Sequence, residues 1–297
     1  MGTFTPVPDI RSWVLFPGKE GKDTFLVGSI ELDKYIVVSS EQYPVVTQIL
    51  ESLREGRSPQ QIQEILFHQG ISTDVEAFCR LLVERGLIVG EQPDPLKQKR
   101  HWADLFGHLR ALSWEIFSIP LESLHKILDS IAPWFLSFLT LGIVLSTIAV
   151  LLWGDFQWSA LRKVAFFPRQ GYNIILLLII NGFVIPFFIL AHEMAHAILA
   201  ARGHVYPRRL SLRWFLTVPY FSLQLPGLYT LPYPARLVAI AGGPLADLLI
   251  ANLTFVLARV TEAPWLGLMA LLNYSRFLYN ILPILPMTDG YALLSQA

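Results

Sequence analysis

His192-Glu193-Met194-Ala195-His196 lies near the end of a long apolar run, Ile174 to Leu199. Two histidines and a glutamate in such a run constrain the chain more than any other feature. In a helix, residues four apart share a face, so His192 and His196 can grip one metal ion together. Glu193 then stands beside that ion as a general base for a water. Ionisable side chains within a membrane-length segment are costly and call for metal, proton or substrate partners. Pro186, six residues before the motif, withdraws a hydrogen bond from the Gly182 carbonyl, so a kink is expected there.

The rest of the chain divides by composition. Of 297 residues, 53% are hydrophobic and 15% charged, too apolar for an ordinary soluble protein. Residues 1–96 nevertheless look normally polar, with 8 Lys/Arg against 14 Asp/Glu, a net charge of −6. Residues 97–297 carry 15 against 9, a net of +6. The acidic first domain repels phosphate backbones, which excludes nucleic acid as its expected partner. Met1 to Lys22 lacks the basic start and apolar stretch of a signal peptide, so this domain is expected in the cytoplasm. The single cysteine, Cys79, rules out an internal disulfide and lies in an apolar helical stripe, where packing is its expected role.

Residues 1–96 read as a small α/β domain. Thr24–Glu31 and Lys34–Val38 are β-rich runs joined at Leu32-Asp33. Three helices follow. The first starts at Ser40, carries Val46, Ile49, Leu50 and Leu53, and ends at Gly56. Ser58-Pro59-Gln60-Gln61 is a capping box with proline at the first helical position, and Gly70 closes that helix. Thr73 to Glu76 repeats the box, Phe78, Leu81 and Leu82 face inward, and Gly86 stops the third. Leu87-Ile88-Val89 forms a last strand. The order suggests a winged-helix-like domain. It resembles the leader-peptide recognition domains of bacterial peptide-maturation systems, and this resemblance implies an extended peptide added to a sheet edge. A docking domain without a peptide ligand has the same pattern.

Residues 97–132 are expected to form a linker and interfacial helices. Gln92 to Arg100 is polar and proline-punctuated, and Trp102 to Ile131 is amphipathic with a break at Pro120. Residues 133–297 then read as a mainly α, polytopic membrane bundle of about four spans: Pro133–Trp153, Asn173–Ala200, Ala235–Ala258 and Trp265–Pro286. With the first domain inside, the ends of spans two and four face the cytoplasm. Arg202, Arg208, Arg209, Arg213 and Arg236 mark the inner loop, while Arg162, Lys163 and Arg169 mark the outer one. The expected location is a bacterial-type plasma membrane.

A catalytic zinc needs a third protein ligand and one open position. His68, His101, His108 and His125 lie away from the motif, and His204 sits in an arginine-rich loop where solvation is expected. Asp289 is the better candidate. It follows the fourth span in Asn280-Ile281-Leu282-Pro283-Ile284-Leu285-Pro286-Met287-Thr288-Asp289-Gly290, where Pro283 and Pro286 prevent a regular helix and Gly290 permits a tight turn. Unwound backbone at this depth is tolerated where it is buried or lines a polar cavity.

From Asn173 to Tyr291 these residues together resemble the site-2-protease-like family of intramembrane zinc metallopeptidases, with Asp289-Gly290-Tyr291 leaning toward its peptide-maturation branch. The resemblance implies one Zn²⁺ held by His192, His196 and Asp289, with Glu193 as general base. It implies that Asn280 and Pro283 help position substrate, and that Gly242-Gly243-Pro244 is a helix-packing motif. The loop Tyr206–Tyr233 becomes the hairpin or re-entrant segment against which substrate extends. The expected substrate is a membrane-associated or leader-bearing peptide. Two departures stand out: Asn280 to Asp289 is one residue longer than the family's usual spacing, and Asp247 stands where asparagine usually follows Gly-Pro. A polar tie between helices is the expected role of Asp247. The end at Ala297, soon after Gly290, fits a short or truncated member. A peptide-binding or export component that keeps this fold without turnover is the alternative, and a metal or proton carrier a third reading.

Overall fold

The computed structural model describes residues 4–16, 23–89, 113–152, 184–215, 218–282 and Asp289. The described residues form two compact units, the first within Met1–Asp104 and the second from Leu105 onward, apart from the short stretch Tyr229–Tyr233.

In the first unit, β1 (Thr5–Pro6) pairs antiparallel with β5 (Ile88–Val89), and β2 (Arg11–Phe16), β3 (Thr24–Ser29) and β4 (Lys34–Ser39) form a three-stranded antiparallel sheet. Between β4 and β5 lie α1 (Tyr43–Arg54), α2 (Pro59–His68) and α3 (Val75–Glu84). All three helices stop by one device. Gly56, Gly70 and Gly86 adopt φ of 81°, 79° and 67°, the left-handed conformation in which a Cβ is penalised. The residue after each glycine bonds back to the last turn, as Arg57 does to Ser52, Ile71 to Leu66 and Leu87 to Leu82. The Ser58 box is complete, its hydroxyl accepting from the Gln61 N–H and the Gln61 side chain accepting from the Ser58 N–H. The buried stripes converge on one core that includes Ile49, Leu53, Leu66, Val75 and Cys79.

Four local expectations are corrected here. The first helix begins at Tyr43, after the Ser39 hydroxyl has accepted from the Gln42 N–H. The cap of α3 is Asp74 rather than Thr73, because its carboxylate reaches the Ala77 N–H. Leu81 is 41% exposed, its place on the inner face taken by Val75, Cys79, Leu82 and Val83. The strands β1 and β2 precede the first element expected from the sequence, and pairing with β5 and β3 supplies what their local pattern does not.

The second unit contains β6 (Ser113–Pro120), α4 (His125–Leu152), α5 (Ile185–Ala201), β7 (Arg209–Phe215), β8 (Val218–Gln224), α6 (Tyr233–Thr261) and α7 (Pro264–Ile281). The strands form an antiparallel sheet in the order β6-β7-β8. Ser113–Pro120 is thus a strand where an interfacial helix was expected. Its run Trp114-Glu115-Ile116-Phe117 suits either period, and pairing with β7, tied by a 3.0 Å bond from Ser211 to Glu115, selects the extended form. Residues 92–100 and 102–112 of the expected linker and interfacial segment lie outside the described residues.

The protein is mostly helical, and among the described residues two helices are long and apolar enough to cross a bilayer, Glu122–Leu152 and Tyr233–Thr261. They correspond to the first and third expected spans. Trp134, Phe138, Leu151 and Leu152 of α4 are each 67% exposed or more, an apolar surface that water does not favour. Of the second span, only α5 with its 17 residues is described, and 173–183 lie outside, including the Gly182 carbonyl of the expected kink. In α7, Asn273, Arg276 and Asn280 lower the apolarity, and Ile281 ends the helix. Arg236 is no loop marker: it is fully buried within α6.

Cys79 has no exposure, and burial pushes its thiol up to about 11. Since the thiolate is the reactive form, iodoacetamide at pH 8 should leave native protein unmodified and alkylate it on unfolding, read by mass spectrometry.

Candidate metal centre

α5 is helical through His192 and His196, so both rings leave one face, and α6 receives them. Along α6 the positions 239, 243 and 247 recur every four residues and share a face. His196 Nδ1 is 2.8 Å from the Ala239 carbonyl, and His192 Nδ1 is 2.8 Å from the Asp247 carboxylate. Each partner is an acceptor, which favours the tautomer with the proton on Nδ1 and a lone pair on Nε2, while the Gly243 N–H also approaches His196 Nδ1 at 3.4 Å. Between them Gly243 has no side chain to occupy the space. A Cβ there would come within 2.5 Å of the His192 ring and nearer still to His196. A Cβ on Gly242 would meet Leu199 at 2.7 Å and the Ala195 carbonyl at 3.0 Å. The glycine pair therefore lets α6 approach α5 closely, and Pro244 within α6 lacks the N–H that would bond the Ile240 carbonyl.

Asp289 closes the site from beyond α7. His192 Nε2 is 3.1 Å from its Oδ2, His196 Nε2 is 3.4 Å from its Oδ1, and the two Nε2 atoms are 3.2 Å apart. Ligand atoms about 2.1 Å from a tetrahedral ion stand about 3.4 Å from one another. The two Nε2 atoms stand near that spacing, each faces a different oxygen of Asp289, and with one atom per residue the three lie within 4.8 Å of one another, near enough to share an ion. The chemistry agrees, because two imidazole nitrogens and a carboxylate are a donor set suited to a divalent cation. Asp289 Oδ2 is buried and has no hydrogen-bond partner among the described residues. His192, His196 and Asp289 are the one such group of potential ligands among those residues.

Glu193, Arg276, Tyr279 and Asn280 join these three around a cavity of about 450 Å³. Leu223 of β8, which packs along α5, brings its backbone toward the Glu193 carboxylate. A hairpin was expected in the 206–233 loop, and β7 and β8 form it. His204 is exposed, at φ 60°, with its Nδ1 3.2 Å from the Tyr206 hydroxyl and apart from the ligand triangle. Asn280 lines the cavity despite the longer spacing to Asp289, and its Nδ2 donates to Asp247 at 3.0 Å. Pro283 and Gly290 lie outside the described residues. Arg276 was not singled out from the sequence. It stands one helical turn before Asn280, and only the fold shows that it reaches Asp247 at 3.1 Å.

Compared with protein-family models, curated proteins and solved structures, the chain has no significant match in any of the three.

The close packing at Gly243 has a direct consequence. Gly243→Ala should push both rings off the triangle and remove tightly held metal from otherwise folded protein, measured as metal per chain by elemental analysis. Metal retained in full would contradict the packing described.

Proposed function

We propose that this chain is an intramembrane zinc metalloendopeptidase that cleaves membrane-associated or leader-bearing peptides. The observation that carries the proposal is the cluster of His192 Nε2, His196 Nε2 and the Asp289 carboxylate, in which each nitrogen lies within 3.4 Å of an Asp289 oxygen, with Glu193 on the same cavity wall. Zinc bound there would supply Lewis acidity, polarising a scissile carbonyl and lowering the pKa of a water toward about 7.

The chain's own residues supply the rest. Glu193 takes the proton of the attacking water on its carboxylate and passes it to the leaving amine. The backbone of Leu223 in β8 lies beside that carboxylate. Because β8 ends the described sheet and lies along α5, an extended substrate pairing with its outer edge would run past Glu193. A helical substrate must unwind first, since its carbonyls are already hydrogen-bonded. Asn280, with its amide nitrogen committed to Asp247, keeps its carbonyl oxygen to receive a substrate N–H.

The apolar faces of α4 and α6 support a bilayer setting, and the four-span arrangement with the first unit in the cytoplasm belongs to this proposal. In it, the first unit docks a leader peptide on a sheet edge and delivers the attached segment to the membrane unit. The acidic balance of residues 1–96 argues against a nucleic-acid partner.

Elemental analysis of detergent-purified protein should find about one zinc per chain, weakened or lost in Asp289→Ala. Wild-type protein with no zinc would refute the metal centre. Glu193→Gln should keep zinc yet slow cleavage by at least about 10²-fold, read by mass spectrometry of membrane-inserted peptides in proteoliposomes. Full activity in that variant would sink the general-base role, and zinc without any product in wild type would favour a non-catalytic peptide-binding component.

A further inference from the structure

Asp247 has no solvent exposure, yet it gathers two hydrogen bonds and an ion pair from two other helices. Its Oδ2 accepts from His192 Nδ1 at 2.8 Å and from Asn280 Nδ2 at 3.0 Å, and its Oδ1 stands 3.1 Å from Arg276 Nη2. His192 comes from α5, while Arg276 and Asn280 lie four residues apart on α7 and so reach it from one face. One carboxylate on α6 therefore ties a candidate metal ligand to the helix that leads into Asp289.

We propose that Asp247 and Arg276 act as a matched ion pair that positions His192 for the metal. This rests on the metal-centre reading above. A simple tie between helices would need only one hydrogen bond, which an asparagine makes equally well. Two donors and a cation converging on one buried side chain call for acceptors and a negative charge together, and a carboxylate alone among short side chains provides both. An amide at 247 could accept from His192, but its NH₂ would then confront Arg276 or Asn280, a donor against a donor. Arg276 in turn supplies the positive charge that lets an anion lie buried directly behind His192. The oriented ring then presents Nε2 to the site with the basicity that an anionic hydrogen-bond partner confers. Asp247 and Arg276 are positioning residues here and act through His192.

Asn252 provides the control. It is an equally buried interhelical tie in α6, bonded to Thr147 at 2.9 Å and to the Tyr274 hydroxyl at 2.7 Å, without a contact to either histidine. The measurement is the zinc dissociation constant of the full chain in detergent by chelator competition, with the melting temperature of the metal-free protein recorded beside it. Asp247→Asn should weaken zinc about 10–100-fold. Adding Arg276→Gln, which restores an acceptor for the amide, should recover most of that loss. Asn252→Ala should lower the melting temperature while leaving zinc affinity unchanged. Zinc bound by Asp247→Asn as tightly as by wild type would overturn the proposal, as would a loss equalled by Asn252→Ala. Where Asp247→Asn alone does not fold, the double variant decides: near-wild-type affinity supports the matched pair, and a folded double variant without zinc overturns it. Wild-type protein without zinc would overturn this inference and the metal centre together.

Discussion

The second unit depends on how closely α6 approaches α5. Two imidazole rings occupy the space that a side chain at 243 would otherwise fill, and Leu199 and the Ala195 carbonyl fill that at 242, so the helices meet with α5 side chains on one side and bare backbone on the other. That approach brings the Ala239 carbonyl and the Asp247 carboxylate behind the rings, and the Nε2 atoms are turned together as a result. The close contact and the ligand geometry are one feature. A larger residue at 243 would remove both.

Burying this much polarity in an apolar bundle needs internal compensation. An unpaired buried charge costs several kcal/mol, on the order of 3–5 when one partner of a pair is removed. Asp247 answers with donors from α5 and α7, and Asn252 repeats the strategy farther along α6 with Ser146, Thr147 and Tyr274. Such bonds hold helices together where lipid tails offer no hydrophobic drive for association. The cluster of His192, His196 and Asp289 gathers two imidazoles and a carboxylate within a few ångströms, a donor set that could hold a cation.

A strand lies beside this cluster: β8 runs its backbone along α5, with Leu223 near Glu193, so the proposed base and a potential docking edge are neighbours. β6 closes the opposite side of the sheet and turns Ser113–Pro120, an amphipathic segment by composition, into structure that braces the hairpin. Within the second unit, the described extended backbone forms this sheet, and the other described elements are helices.

Much of this was legible in the sequence because it depends on short-range rules. The spacing of His192 and His196 sets a shared helix face, the capping box at Ser58 satisfies local donors, and glycines 56, 70 and 86 stop helices where a left-handed residue is needed. Asp289 was legible as a candidate ligand from the prolines before it, and apolar runs marked the helices around Pro133–Trp153 and Ala235–Ala258. The pairing of β1 and β2, the strand at Ser113–Pro120, the burial of Arg236 and the exposure of Leu81 were not. Each depends on partners distant in the chain, and local pattern carries no record of which partner wins. The same holds for Arg276, whose meaning appears only when α6 brings Asp247 within 3.1 Å of it. Residue type and spacing determined the chemistry available to this protein, and tertiary packing decided which lone pairs and charges meet, because hydrogen bonds and ion pairs act over a few ångströms between groups that lie far apart in sequence.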